Sequence, residues 1–396
     1  MIVANTADAV VDAVRDAGCA GRTLEIIGTG SRRGYGRPVY ADAVLDVSGL
    51  AGIVDYDPAE LVLTARPGTS LADIAALAAG HGQYLAFDPP DLAPLWGGDP
   101  GAGTLGGALA LGLGGPRRLS AGAPRDHFLG FAAVNGSGEM FSAGGKVIKN
   151  VTGYDLPKLL AGSLGTLAVF TEVTIKMLPA PRATATLAWP GLNDSAAIAA
   201  MTRALNSSVV VSGAAHVSIA DEEQGGVPAT TRLRLAGVPA AVEENIATLT
   251  NLLSDFGTAV EIDDADVFWH DIGGVSRFAR TSTIVWRVCL PPSMAVAFTA
   301  ELDPASNPTW YYDWGGGLVW LMLPNAEDAH AAMVRGALAA TAGADGHATL
   351  VRAPDAVRRA VAPFQPLPPA LAALSDRVRE RFDPDGILNP GRMWAT

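Results

Sequence analysis

The sequence predicts an α+β protein with more than one domain. Its 396 residues exceed the size of one ordinary domain. Beyond residue 181, strand-like runs alternate with helical runs without a regular parallel βαβ pattern, which favours a separate α+β domain. In the first half, the glycine-rich stretch 97–122 carries three glycine pairs among leucines. We interpret it as backbone folded inside the protein against a large ligand, and a buried structural loop is the equally weighted alternative.

The composition argues against a nucleic-acid-binding protein. The formal net charge is −12 and the isoelectric point is about 4.9, so neither a nucleic-acid surface nor broad binding to anionic lipid is expected. The two cysteines, Cys19 and Cys289, are too few for a disulfide scaffold, a zinc site or an iron–sulfur site. The N-terminal residues lack a signal-peptide pattern, and no apolar run reaches the ~18 residues of a spanning helix. We therefore expect a cytoplasmic protein without a transmembrane segment.

The chain begins with a predicted helix, a strand and a glycine-rich turn. An N-capping threonine opens the helix. A strand-like run then enters GTGSRRGYGRP, residues 28–38, where Ser31 offers a hydroxyl and Arg32 and Arg33 offer positive charge for a phosphate. This turn matches neither a Walker loop nor a Rossmann fingerprint. From the residues alone, a phosphate-binding loop and a plain hairpin turn are both open.

The other elements follow from alternating apolar positions, capping residues and turn signals. Up to the proline-rich boundary at 179–181, the predicted strands are 23–27, 43–47, 61–65, 128–134, 140–143 and 166–178, and the predicted helices are 71–79 and 155–160. After it, the predicted strands are 184–189, 209–219, 231–236, 281–290 and 318–323. The predicted helices there are 195–205, 240–256, 295–302, 327–340 and, after a proline-rich connector, 371–382.

Three glycine-rich segments occur in an order that is more specific than any one of them. They are GTGSRRGYG, TLGGALALGLGGPRRLSAGAPRD and GGKVIKNVTGYDLPKLLAGSLGTLAVFTEVTIKMLP, and FDPDGILNPGRM stands near the end of the chain. With these segments the chain resembles the FAD-binding family typified by vanillyl-alcohol oxidase and D-lactate dehydrogenase. Within that family it is most similar to the E subunits of bacterial glycolate oxidases. The resemblance is strong over residues 23–179 and the last fifteen residues, and weak between them.

The resemblance implies a domain organisation. Members of this family combine a two-lobed PCMH-type FAD-binding domain with an α+β cap domain that contains an antiparallel sheet. On this chain, residues 1–181 match the FAD-binding domain and 182–362 match the cap domain. Residues 363–396 match a C-terminal segment that returns to the FAD-binding domain.

The resemblance also implies which residues bind FAD. The family's first loop wraps the pyrophosphate, its second loop lies against the pyrophosphate and the isoalloxazine ring, and later segments lie near the adenine and ribose. The matching residues are Gly28, Thr29, Gly30, Ser31, Arg32, Thr104, Leu105, Gly106, Gly107, Arg125, Asp126, Gly165, Thr166, Val169 and Asn389. We expect noncovalent FAD, because Ser31 stands near the position where relatives carry an attachment histidine. Valine at Gly106 or Gly107 is expected to abolish FAD retention by filling the space that the cofactor needs.

The implied function is that of a FAD-dependent oxidoreductase subunit. We expect the FAD-binding subunit of a multi-subunit glycolate (2-hydroxyacid) oxidase. Such a subunit passes electrons from substrate oxidation to a partner iron–sulfur subunit, beside a homologous FAD-linked catalytic subunit. Its expected location is the cytoplasm, alone or peripheral to the inner membrane through its partners. The alternatives are a self-sufficient FAD-dependent 2-hydroxyacid dehydrogenase and a flavin-binding scaffold without redox activity.

One motif of the family's catalytic members is missing from the sequence. Those relatives carry a metal-binding His-x-Gly-Asp/Glu-Gly-Asn-x-His motif, whereas the six histidines of this chain are scattered. We therefore expect no metal site, and the sequence identifies no catalytic residue.

The predicted cap domain offers weaker candidates. The aromatic run 310–314 is interpreted either as a partner interface or as cap-domain core. Arg277, Arg280 and Arg287 either bind a carboxylate in a bidentate manner or are ordinary surface cations. His270 is a further candidate for a base near the flavin, with no local pattern in its support.

Overall fold

The computed structural model describes residues 1–146, 153–218, 229–279 and 281–395, and the chain packs into two compact units. The first unit comprises Met1–Gly114, Gly122–Ala180 and Pro366–Thr396, and the second comprises Gly115–Ala121 and Pro181–Gln365. One feature was not anticipated from the sequence: Gly115–Ala121, from the glycine-rich stretch, belongs to the second unit. The predicted functional domains 1–181, 182–362 and 363–396 remain a proposal.

Helices and strands alternate along the described part of the chain. The strands are β1 (Ile2–Val3), β2 (Leu24–Ile27), β3 (Ala43–Asp46), β4 (Ile53–Asp57), β5 (Val62–Ala65), β6 (Gln83–Tyr84), β7 (Phe128–Val134), β8 (Met140–Gly144), β9 (Val169–Lys176), β10 (Leu178–Pro179), β11 (Ala183–Pro190), β12 (Val211–Val217), β13 (Thr230–Gly237), β14 (Val260–Glu261), β15 (Ile284–Cys289), β16 (Thr309–Asp313), β17 (Leu318–Leu323) and β18 (His347–Arg352). The α-helices are α1 (Ala7–Cys19), α2 (Leu71–Ala79), α3 (Leu105–Leu111), α4 (Arg118–Ala121), α5 (Pro124–His127), α6 (Leu156–Leu160), α7 (Asp194–Leu205), α8 (Pro239–Leu252), α9 (Asp266–Gly274), α10 (Ser276–Ala279), α11 (Ala295–Ala300), α12 (Ala331–Thr341), α13 (Asp355–Ala360) and α14 (Pro369–Phe382). Among these helices, none has both the length and the apolar character needed to cross a membrane.

A small parallel sheet, in the order β1-β3-β2, holds the start of the chain. Helix α1 begins at Thr6, whose side-chain oxygen accepts the N–H of Ala9 at 3.2 Å, as the sequence predicts. Its apolar side packs with this sheet in one buried cluster. Leu388 joins the same cluster and forms a parallel bridge with Leu24, so the end of the chain completes this layer.

A five-stranded antiparallel sheet, in the order β4-β5-β9-β7-β8, forms the second layer of the first unit. Its inward side chains, which include Leu63, Phe131 and Val173, form a buried core with Leu105 and Leu109 of α3. The sequence of residues 56–58 predicts a turn between the predicted strands 43–47 and 61–65. In the structure Tyr56 and Asp57 belong to β4, which pairs with β5, while β3 pairs within the parallel sheet.

The second unit is built on an eight-stranded sheet in the order β14-β11-β13-β12-β16-β17-β15-β18. All its strand pairings are antiparallel. Helices α7, α8, α11 and α12 contribute to the buried cluster on one face, where Trp286, Val319 and Leu321 lie. The α+β class and the antiparallel sheet are therefore confirmed.

Candidate functional site

The first unit contains two neighbouring cavities that share part of their walls. Their empty space amounts to about 530 Å³ and about 490 Å³. The turn after β2, helix α3 and the loop before β9 line both of them. The shared lining residues are Ile26, Ile27, Gly28, Thr104, Gly107, Ala110, Leu164 and Asn389. Most of the FAD-binding residues implied by the resemblance therefore meet in one place.

The turn 28–32 presents backbone N–H groups to the first cavity. The N–H groups of these five residues form no hydrogen bond with any described residue. Gly30 has φ +78° and accepts the N–H of Arg33 at 3.1 Å, which closes the turn. Thr29 is tied through its hydroxyl to the carbonyl oxygen of Ala102 at 2.5 Å. A fixed turn with several unused donors is a concavity suited to an anion.

The side chain of Arg32 adds a positive charge beside this turn. Burial lowers the pKa of Arg32 to about 10, against the opposing effect of Asp91, so the guanidinium remains charged at neutral pH. Its Nε atom is buried and has no hydrogen-bond partner. A Cβ on Gly107 would lie 3.1 Å from Nη1 of Arg32, so the guanidinium lies against α3. A buried cation without a hydrogen-bond partner fits a site for phosphate.

Arg33 does not have the phosphate role that the sequence made possible. Its guanidinium donates from Nε to Glu25 at 2.9 Å and from Nη2 at 2.5 Å, and these hydrogen bonds raise its pKa. Glu25 is buried, and Arg392 lies 3.9 Å from it. Arg392 also donates to the carbonyl oxygen of Arg32 at 2.9 Å. Sequence reasoning missed Glu25 and Arg392; the only signal for the latter was its position directly after Asn-Pro-Gly.

The central glycine pair of the stretch 97–122 lies in helix α3. Gly106 and Gly107 lie in the first turn of an α-helix whose N-cap is Thr104. Leu105 donates its N–H to Thr69 and Gly106 donates to Pro67, at 2.9 and 2.8 Å, and Gly107 donates to the Thr104 hydroxyl at 3.3 Å. These donors are used within the protein, so the anion concavity is at 28–32 and not here.

The two glycines of α3 have different roles. A Cβ on Gly106 would lie 2.5 Å from Cβ of Pro67, so this glycine allows α3 to pack against the backbone after β5. Gly106 also lines the second cavity, whereas Gly107 faces Arg32 and lines both cavities. Leu105 is fully buried in the hydrophobic core and lines neither cavity.

The end of the chain contributes Asn389 to both cavities. Its Oδ1 accepts the N–H of Ile26 at 2.8 Å, and its Nδ2 donates to the carbonyl oxygen of Leu164 at 2.7 Å. Gly165 follows with φ +69°, and a Cβ there would lie 2.8 Å from Nδ2 of Asn389. Asn389 therefore holds β2 and the loop before β9 in place around the site.

Besides Leu105, three implied residues line neither of the two cavities. Gly165 and Val169 line the second cavity, but Thr166 donates to the carbonyl oxygen of Ser163 at 2.7 Å and lines a separate cavity beside α14. Arg125 and Asp126 are exposed and line neither of the two shared-wall cavities. Asp126 accepts the N–H of Ala123 at 2.8 Å and so caps α5. Their contact with FAD stays a prediction from the resemblance.

In the second unit, the aromatic run 310–314 belongs to the interior. Tyr311, Tyr312 and Trp314 are buried, which supports the core interpretation over the interface interpretation. Trp310 and Tyr312 donate to Oδ2 of Asp194 at 2.8 and 2.7 Å. Two neighbouring strands therefore supply four donors around one carboxylate, because His216 on β12 and Ser218 directly after that strand contact its Oδ1 at 3.2 and 2.6 Å.

The other candidates in this unit are His270, Arg277, Arg280 and Arg287. His270 is exposed on α9, and Arg280 lies outside the described residues. Within the described ranges, no group of three or more His, Cys, Asp or Glu side chains is placed to hold a metal ion.

Comparison with known proteins identifies relatives of this chain. Residues 1–144 match the family described as FAD binding domain. Glycolate oxidase subunit GlcE of Escherichia coli (strain K12) is 34% identical over 374 residues, which cover 94% of this chain and 93% of that protein. Glycolate oxidase subunit GlcD of Bacillus subtilis (strain 168) is 32% identical over 150 residues, 38% of this chain and 30% of that protein.

The fold also matches solved structures. The 4-ethylphenol oxidase from Gulosibacter chungangensis superposes with a TM-score of 0.74 at 15% identity, over 99% of this chain and 89% of that one. At this identity the likeness shows the fold alone, whereas the match along nearly the whole of GlcE shows the family. The chain therefore belongs to the same family of FAD-linked oxidoreductases as GlcE, and its cofactor is FAD.

Proposed function

We propose that this chain is the FAD-binding subunit of a multi-subunit oxidase or dehydrogenase for glycolate or a related 2-hydroxyacid. The observation that carries the proposal is the similarity to a protein named as a glycolate oxidase subunit, over 94% of this chain. The two cysteines are too few for the four thiolates of a common iron–sulfur cluster. Electrons from the flavin would therefore leave through a partner iron–sulfur subunit, beside a homologous FAD-linked catalytic subunit.

The first cavity supports the proposal because its donors match a pyrophosphate. The N–H groups of 28–32 and the guanidinium of Arg32 would hold the phosphate oxygens. Ser31 carries a hydroxyl and no imidazole, so we propose that FAD is held without a covalent bond. When bound, FAD supplies a two-electron oxidant for the substrate.

The second cavity supports the proposal through its apolar wall. Val47, Ala168, Val169 and Phe170 line it beside Gly165. Such a wall suits an uncharged, aromatic part of the cofactor and excludes water from it. The protein's contribution is to bind and orient the cofactor, with Asn389 holding both sides of the site together.

The test compares the chain alone with the chain co-expressed with its neighbouring genes. Acid precipitation of either preparation is expected to release FAD into the supernatant, and colour that stays in the precipitate contradicts noncovalent binding. Glycolate-dependent dye reduction is expected only from the co-expressed assembly. Full activity of the isolated chain would replace the proposal by a self-sufficient dehydrogenase. An assembly that keeps full activity after Arg32→Met has removed this chain's flavin would replace it by a scaffold.

A further inference from the structure

The second unit contains an arginine that is buried without a polar partner. On β15, Trp286 and Val288 point into the hydrophobic core, so Arg287 and Cys289 lie on the opposite face of the sheet. Arg287 is only 7% exposed. Its side chain forms no hydrogen bond or ion pair with any described residue. A charged group in this position is costly unless something compensates it.

Arg118 and Arg287 both contact the aromatic ring of Trp314. The guanidinium carbon of Arg287 lies 5.0 Å from the ring centroid of Trp314, and that of Arg118 lies 4.9 Å from it. Arg118 is exposed, and its side chain likewise has no hydrogen-bond or ion-pair partner among the described residues. Cation–π contact with one ring offsets only part of the cost of holding two cations next to each other.

Trp314 itself is firmly held. Its Nε1 donates to the carbonyl oxygen of Gly115 at 3.0 Å, and its backbone N–H donates to Oδ1 of Asp313 at 2.7 Å. The residue adopts φ +53°, an uncommon conformation for a bulky side chain. The ring of Trp314 is therefore held in place between α4, which carries Arg118, and β15, which carries Arg287.

The positive charges of Arg287 and Arg118 act on the nearby thiol of Cys289. It pairs across the sheet with His347 and lies two residues beyond Arg287. Burial raises the pKa of its thiol, but the charge of Arg287, a hydrogen bond and charge from His347, and the charge of Arg118 together lower it below its ordinary value. Cys289 is a partly exposed residue, and we expect small reagents to reach it.

We propose that Arg118 and Arg287, which both contact the ring of Trp314, form a binding site for a small carboxylate anion. The forked guanidinium of Arg287 matches a planar carboxylate, and the exposed Arg118 attracts the ligand from solvent. The bound anion is the polar partner that Arg287 otherwise lacks. The proposal does not depend on the flavin or on the oxidoreductase function, since it concerns binding alone.

Cys289 lies at the proposed site and can report on anion binding there. Cys19 lies outside the site and serves as the internal control. Iodoacetate and iodoacetamide both alkylate a thiolate, with a new S–C bond and loss of iodide, but only iodoacetate carries a carboxylate. In the purified full chain, we expect Cys289 to favour iodoacetate over iodoacetamide about tenfold more than exposed Cys19 does. Quantitative peptide mass spectrometry measures both ratios in one sample.

Competition and substitution complete the test. Acetate or glycolate is expected to slow carboxymethylation of Cys289 and not of Cys19, and phosphate at equal ionic strength is expected to protect less. Arg118→Met and Arg287→Met should each remove the preference. Arg203→Met is the matched control, since Arg203 lies 4.6 Å from the ring of Phe256 but is paired with Asp255.

Several results would overturn the proposal. Equal reagent ratios at Cys289 and Cys19 in the unaltered chain, or an unchanged preference after Arg118→Met, contradict an anion site here. Stronger protection by phosphate contradicts the carboxylate class. If Cys289 resists both reagents, calorimetric titration of the full chain with acetate decides: heat of binding that Arg118→Met abolishes supports the site, and no heat refutes it. Because Arg118 is exposed, this variant leaves the fold intact even if Arg287→Met does not.

Discussion

Oδ1 of Asn389 accepts the backbone N–H of Ile26 at 2.8 Å across 363 residues of sequence. The same side chain donates from Nδ2 to the carbonyl oxygen of Leu164 at 2.7 Å. Ile26 stands just before the phosphate-binding turn that we propose, and Leu164 lines both cavities. One amide near the C-terminus therefore joins the two segments that surround the candidate FAD site.

Asn389→Ala should weaken both the fold and the site. It leaves the N–H of Ile26 and the carbonyl of Leu164 without their partner, which costs about 1–3 kcal/mol for each group that stays buried. We expect a lower midpoint in urea unfolding and a lower FAD content. Asn389→Asp is the informative companion, because it keeps the acceptor for Ile26 and loses the donor to Leu164. An alanine variant with unchanged stability and FAD content would contradict the role given to this residue.

Arg32 and Arg33 are adjacent in the sequence, yet substitution of Arg32 should mainly weaken FAD binding and substitution of Arg33 should mainly lower stability. Arg32→Met removes a largely buried cation without a partner, so we expect FAD affinity to fall about 10- to 100-fold with little loss of stability. Arg33→Met leaves the buried Glu25 without its bidentate partner, so we expect a loss of stability of about 1–3 kcal/mol. Fluorescence titration with FAD and urea unfolding separate the two effects. Equal FAD affinity in both variants would remove Arg32 from the site.

Gly106→Ala should lower stability and Gly107→Ala should weaken FAD binding, because the two glycines lie against different neighbours. A Cβ on Gly106 collides with Pro67 at 2.5 Å, so α3 must shift, and we expect a loss of stability of about 1–3 kcal/mol. A Cβ on Gly107 approaches Nη1 of Arg32 at 3.1 Å, so we expect weaker FAD binding with a nearly unchanged unfolding midpoint. The reverse pattern in thermal unfolding and FAD titration would contradict these roles.

Asp194 should make the stability of the second unit sensitive to acid. Burial raises the pKa of its carboxyl, but hydrogen bonds from His216, Ser218, Tyr312 and Trp310 outweigh it and hold the pKa well below the ordinary value. A carboxyl with a lowered folded-state pKa stabilises the fold above its unfolded-state pKa of about 4, and this stabilisation is lost as the pH falls below that value.

The test for Asp194 compares two pH values. Asp194→Asn should lower the free energy of unfolding at pH 7 by about 2–3 kcal/mol, and the difference from the unaltered chain should shrink at pH 3. Asp12→Asn, at an exposed position on α1, is the control. A difference that stays constant between pH 7 and pH 3 would show that the negative charge is not what these donors stabilise.

The sequence correctly predicts the elements whose patterns depend only on neighbouring residues. The helix cap at Thr6 and the strand Phe128–Val134 follow from neighbouring residues, and the structure contains both. Strand β16 was missed, because Trp310, Tyr311 and Tyr312 are apolar on both faces and show no alternation. The sequence also does not predict which residues contact one another at the candidate site. Whether Arg33 meets a phosphate or Glu25, and whether Gly106 faces a ligand or Pro67, depends on contacts that no spacing reveals.

The division of the first unit into three stretches of sequence has a consequence for how the protein is made. Leu388 and Asn389, which complete the layer around β2, come after the second unit in the sequence. The whole second unit is synthesised before them, and domains tend to fold as they emerge. The nascent chain should therefore carry a folded second unit while the first unit is still unfinished, and flavin loading should wait until residues 388 and 389 have been added.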